Sequence, residues 1–336
     1  MNRLKEIDII RCIVVLMVVL VHTAAPHTGA WPLPAELPGN MTLLYIGKLC
    51  YCGMLETFVF ISGFLLGQKP LPSDASTKKR LIYNRFIRLY IPCIIFGIIA
   101  VAVINGYDQI LSKSAKIIQG IYHLWFLPVL LWCFVLEVLL VQRIKRFSLP
   151  ILAILAILPY PGMPFNINTS LYYLFFFHLG YTVCKNKERV YMILNKRATI
   201  LASLTFAIIL LTVSFRYMNL VIEIGNAPAI ISKALTIMSL TTIRFITSLP
   251  IIVIYIWVGI KLGESMIYKF ALFIAKYSLG IYIFQEIIIR ILYYKLHIFI
   301  LFPGTYALLI FIMTIIISLL ITILLSQNKY TKKFVM

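Results

Sequence analysis

The chain has 336 residues, is 62% hydrophobic and only 12% charged, and carries a formal net charge of +20. A soluble domain averages about 45–50% apolar and about 25% charged residues, and the mean hydropathy here is +0.97, so a soluble fold is excluded. The positive charge sits in short clusters between apolar runs, the pattern of the positive-inside rule, and a nucleic-acid partner is excluded with it.

An all-α polytopic membrane protein is expected, because irregular lipid-exposed backbone is forbidden in hydrocarbon and a span needs roughly 20 apolar residues. The apolar runs predict a bundle of about ten transmembrane helices: Ile9–Ala25, Leu43–Gly67, Leu89–Ile104, Tyr122–Val141, Leu149–Pro159, Leu171–Cys184, Ala198–Phe215, Ser239–Gly259, Phe270–Tyr293 and Thr305–Ser326. The fifth and sixth are short. Placing both termini in the cytoplasm puts inside the Arg3/Lys5 pair, the Lys69–Arg88 cluster, Arg143/Lys145/Arg146, the Lys185–Arg197 cluster, Lys261/Lys269 and Lys329/Lys332/Lys333. Only Lys113, Lys116, Arg216, Lys233 and Lys295 remain outside. No repeat and no soluble domain interrupts residues 1–336, which read as one transmembrane domain. The N-terminus has the outline of a secretion signal, but Asp8 and Arg11 intrude on its apolar core, so an uncleaved first span is expected. The six cysteines lie in or beside apolar runs without metal-ligand spacing, and read as small buried hydrophobes.

The first span carries Arg11 and His22. Eleven residues at 100° each return to within about 20° of one helix face, and Asp8 falls near it. Ionisable groups within a span are costly, face the bundle interior and mark function by default. In the second span Glu56 lies deep in apolar sequence, followed by Ser62-Gly63, which suits close helix packing or a polar kink. The next segment, Lys78–Pro92, reads as a basic cytoplasmic loop. Its Arg85 and Arg88, three apart, carry the planar forks that suit phosphate. The fourth span opens His123-Leu-Trp125-Phe126, either an interfacial aromatic anchor or the wall of a sugar pocket. In the ninth, Glu286 and Arg290 are spaced i,i+4 and are expected to pair as structural glue. Glu137 and Arg244 are buried charges whose partners the sequence does not name. His178 reads as a satisfied interior histidine.

Taken together, these residues resemble the membrane acyltransferase-3 family. Arg11-x10-His22, the Glu56–Phe64 segment, Arg85-x2-Arg88 with Pro92, His123-Leu-Trp125-Phe126 and Ser278-Leu-Gly280-Ile-Tyr282 match its motifs in order. One departure is Gln285, where many members carry His. The resemblance implies a standalone O-acyltransferase of the bacterial cytoplasmic (inner) membrane, passing an acyl group from acetyl-CoA to a hydroxyl of a surface polysaccharide or lipid-linked saccharide, with membrane lipids as its other partners and no metal. Within that frame His22 is the expected base, with Glu56 orienting it. Arg11, Arg85 and Arg88 are expected to hold the CoA phosphates, and His123 and Trp125 the acceptor. The competing reading is a glycan or small-molecule transporter without covalent chemistry; substrate movement without acyl-CoA distinguishes it. A mere membrane anchor gives no reason for the Arg11/His22/Glu56 placement.

Overall fold

The computed structural model describes residues 4–144, 147–194, 196–217, 220–222 and 228–336. Arg3, Lys145 and Arg146 of the charge pattern lie outside them. The described residues are α-helical with no strand. The principal helices are α1 (Lys5–Thr23), α2 (Met41–Tyr51), α3 (Met54–Gly67), α4 (Ala75–Ile104), α5 (Phe126–Leu136), α6 (Ser148–Ile157), α7 (Ile167–Lys185), α8 (Arg197–Arg216), α9 (Ala229–Leu262), α10 (Tyr268–Lys276), α11 (Ser278–Tyr294) and α12 (Tyr306–Gln327).

Among the described residues, six stretches are long and apolar enough to cross a membrane: Met41–Gly67, Ala75–Ile104, Tyr122–Ile144, Arg197–Arg216, Ala229–Leu262 and Tyr306–Gln327. A seventh arises if α10 and α11, bent by 71°, form one span. The expected count of about ten is therefore not reached by length and composition, and the shortfall has physical causes. Helix α1 covers the predicted first span as far as Thr23, but the helix begins earlier and includes Glu6, Asp8 and Arg11. The predicted fifth span is the ten-residue α6, about 15 Å long at 1.5 Å per residue, half of a hydrocarbon core of about 30 Å.

A second correction concerns the basic segment, which is helix. Asp74 accepts from the Ser76 hydroxyl at 2.6 Å and the Thr77 N–H at 2.7 Å, satisfying donors of the first turn. Those bonds, the serine's first, hold its carboxyl below the usual range. Helix α4 then runs from Ala75 through Pro92 to Ile104, so Arg85 and Arg88 are helical residues and not loop residues.

The helices group into two compact units. The first comprises Met1–Tyr51, Tyr83–Leu131 and Leu262–Met336. There α1 packs on α2, α10 and α11, and α11 on α12. The second comprises Cys52–Ile82 and Trp132–Lys261. Its main contact is α3 against α7, with α6 packed on α7. The two helices meet through glycine: a Cβ at Gly63 would stand 1.8 Å from the Phe177 carbonyl oxygen, and one at Gly180 would stand 2.0 Å from that of Phe60. This is the close packing expected at Ser62-Gly63. The six cysteines form no disulfide.

Candidate functional site

The first unit assembles three sequence motifs that lie far apart along the chain. His22 stands at the end of α1, with its Nδ1 2.8 Å from the Val18 carbonyl oxygen. A carbonyl only accepts, so Nδ1 carries a proton and Nε2 presents its lone pair in the neutral ring. Nε2 makes no hydrogen bond among the described residues and faces Glu286 Oε2 at 3.8 Å. The His22 side chain is 20% exposed while Glu286 is almost wholly buried.

Glu286, on α11, is fixed from several directions. Its Oε2 accepts from the His123 backbone N–H at 3.0 Å and lies 2.9 Å from His123 Nδ1. Its Oε1 accepts from Arg290 Nε at 2.7 Å. His123 Nε2 meets the Ile283 carbonyl oxygen at 3.1 Å. Both nitrogens of the His123 ring thus face oxygen atoms of the protein. The Tyr282 hydroxyl donates to the His123 carbonyl oxygen.

The backbone prepares this arrangement. Tyr122 sits at φ +53°, an outlying conformation for a bulky residue, and His123 follows it in a short 3-10 turn, Tyr122–Trp125. The Arg290 guanidinium lies 4.1 Å from the Trp31 ring centroid and 4.9 Å from that of Tyr122, within cation–π range. The His22 ring lies 5.7 Å from Trp31 and 6.0 Å from His123. A cavity of about 290 Å³ adjoins the cluster, lined by Pro32, Ile104, Arg290, Ile291, Tyr294 and Lys295.

The other expected residues are placed as follows. Arg11 donates to Ser278 Oγ at 3.1 Å, joining the first-span pair to the late Ser-Leu-Gly-Ile-Tyr signature. Arg85 and Arg88 share a face of α4, and Arg88 donates to the Met336 carbonyl oxygen. Trp125 is half-buried with its ring edge-on to Phe126. Gln285 is fully buried, and neither polar atom of its amide has a hydrogen-bond partner among the described residues.

Glu56 differs from expectation. It belongs to the second unit, where its Oε1 accepts from Arg244 Nε at 2.7 Å and from the Tyr172 hydroxyl at 2.8 Å. Arg244 also donates to the Tyr173 hydroxyl at 2.7 Å. The carboxylate set against His22 is Glu286. Spacing along α11 revealed only its pairing with Arg290, since its histidine partners lie on other helices, 264 and 163 positions away in the sequence. Trp31 and Tyr122 carry no sequence signal beyond being aromatic.

A family model described as an acyltransferase domain matches residues 4–323, running through both units. No curated protein and no solved structure matches the chain.

Proposed function

The chain belongs to the acyltransferase-3 family and is a multi-pass membrane acyltransferase, and from that premise we propose that it is an O-acetyltransferase acting on a cell-surface glycan or its lipid-linked precursor. The donor in this reading is acetyl-CoA, reached from the cytoplasmic side, and the membrane is the bacterial inner membrane with both termini cytoplasmic. The observation that carries the reading is the His22 ring, whose Nδ1–H is committed to Val18 while Nε2 stands 3.8 Å from the buried Glu286 carboxylate.

In the reaction, the acceptor hydroxyl enters beside Nε2. Its proton passes to Nε2 as its oxygen adds to the thioester carbonyl carbon; the C–S bond then breaks, and the CoA sulfur leaves with that proton. Glu286 stabilises the transient imidazolium, and His123 and Arg290 hold Glu286 in position. Arg11, Arg85 and Arg88 supply the cationic surface for the CoA phosphates. His123 spends both ring nitrogens within the protein, so Trp125 and the cavity beside Arg290 receive the saccharide.

Purified protein in liposomes, given radiolabelled acetyl-CoA and assayed for CoA release, tests this. His22→Ala is expected to lower the rate by about 10²–10⁴, the usual worth of a positioned general base, with the melting temperature unchanged. Wild-type turnover in that variant removes His22 as the base. A folded wild-type protein that neither binds CoA nor releases it, but moves saccharide across the bilayer, establishes transport instead.

A further inference from the structure

The second unit contains a hydrogen-bonded chain that the reaction above does not use. Ser148 Oγ lies 2.7 Å from His178 Nε2. His178 Nδ1 lies 2.9 Å and 3.1 Å from the two oxygens of Glu137. With Nδ1 donating to the carboxylate oxygens, Nε2 presents its lone pair and the serine hydroxyl donates to it. The order is hydroxyl, imidazole, carboxylate, with each pair within hydrogen-bond reach, which is the geometry that activates a serine nucleophile.

The surroundings reinforce this geometry. Ser148, His178 and Glu137 are 5%, 7% and 0% exposed, so water does not compete for their bonds. Gln142 Nε2 donates to Glu137 Oε1, the same oxygen that His178 Nδ1 approaches most closely, and so helps to fix the carboxylate. Glu137 opens a π-helical turn, Glu137–Val141, and such turns concentrate at functional sites. Ser148 is the first residue of α6, in whose first turn the N–H groups of Ser148, Leu149 and Ile151 lack intrahelical acceptors, Pro150 having no N–H. Donors of that kind stabilise an oxyanion. Thr182 Oγ1 is a second hydroxyl near Nε2, but at 3.4 Å it is the more distant one.

We propose that Ser148 and His178, positioned by Glu137, form a second reactive centre that takes an acyl group from an activated ester or thioester. Ser148 Oγ adds to the acyl carbonyl carbon while its proton passes to His178 Nε2. The C–O or C–S bond to the leaving group breaks, the leaving alcohol or thiol departs with that proton, and the acyl group stays as a serine ester. Water or an acceptor hydroxyl then reverses the steps: its proton goes to Nε2, its oxygen to the carbonyl carbon, and Ser148 leaves as the hydroxyl.

The test treats the full chain, purified in detergent, with an alkyl fluorophosphonate and locates the adduct by peptide mass spectrometry. The expected result is stoichiometric labelling of Ser148, lost in Ser148→Ala and slowed at least tenfold in His178→Gln. Glu137→Gln slows labelling, and Glu137→Asp restores part of the rate, which a purely structural carboxylate does not do. A folded wild-type protein that leaves Ser148 unlabelled overturns the proposal, since a centre built for an acyl substrate must admit the probe. Labelling at Thr182, or labelling of Ser148 that is indifferent to His178, overturns it equally.

Discussion

Glu56, Glu137 and Glu286 are each buried among apolar helices, and each is held by different donors. Glu286 receives a ring N–H, a backbone N–H and a guanidinium. Glu137 receives an imidazole and an amide. Glu56 receives a guanidinium and a phenol on one oxygen, and its Oε2 has no hydrogen-bond partner among the described residues. For Glu56 the ion pair with Arg244 therefore carries most of the compensation for desolvation. Truncating one partner of a buried pair leaves the other charge uncompensated and costs about 3–5 kcal/mol, whereas replacing both can be nearly neutral. Arg244→Met is thus expected to destabilise the protein by about 3 kcal/mol, the lower end of that range, because the arginine is a third exposed. Glu56→Gln combined with Arg244→Met should recover more than half of that loss. Unfolding in mixed micelles measures both; strictly additive single-variant effects would show that the pair contributes nothing as a pair. The i,i+4 spacing made the Glu286–Arg290 pair legible in the sequence, and Glu56 and Arg244 were each recognisable as buried charges. Their pairing was not, because 188 residues separate them and no periodicity connects one helix to another.

Among the helices, legibility followed local chemistry. Asp74-Ala-Ser76-Thr77 is a capping sequence, and α4 starts where that sequence places it; the run of lysines and arginines that follows masked the helix by imitating a loop. Conversely, Gly63 within an apolar run was readable as a packing point, whereas the matching Gly180 stands out only once α3 and α7 are seen face to face. The atoms that a new methyl group meets there are backbone carbonyls, which cannot rotate aside, so the two helices would have to part along their length. Gly63→Ala is expected to lower stability by at least the about 1–3 kcal/mol typical of overpacking. Gly97→Ala is the control. A Cβ there meets first the Ile117 Cγ2 methyl at 3.2 Å, which can yield, and alanine gains about 1 kcal/mol of helix propensity. Thermal unfolding of the two variants should therefore differ clearly in the order Gly97→Ala above Gly63→Ala; equal melting temperatures would mean that α3 and α7 separate at little cost.

At the scale of the whole molecule, hydropathy identified the membrane class and the motif order identified the family, because both are properties of the linear chain. The span count was less accessible: the charged residues of α1 lower its hydropathy, α6 is too short to cover the hydrocarbon core as helix, and α10 with α11 changes direction at Tyr277, which leaves helical geometry at φ −103° and ψ +11°. We propose the orientation from charge. Segments rich in lysine and arginine resist translocation, and with both termini cytoplasmic the basic stretches before and within α4, after α7 and after α12 share one side when the segment that holds α6 traverses the membrane, its ten-residue helix covering about half of the thickness. The helix Lys329–Val335 adds Lys332 and Lys333 in its last turn to the basic residues that this orientation places inside. A fluorescent protein fused after Met336 should therefore be bright, and alkaline phosphatase at the same point inactive, in bacterial cells. Reporters placed in the segment around Lys113 and Lys116 should give the opposite pair of results, because that segment follows one span beyond the basic start of α4. If the C-terminal phosphatase were active, the cationic face of Arg85 and Arg88 would lie outside, away from cytoplasmic acyl-CoA, and the donor assignment would fall with the orientation.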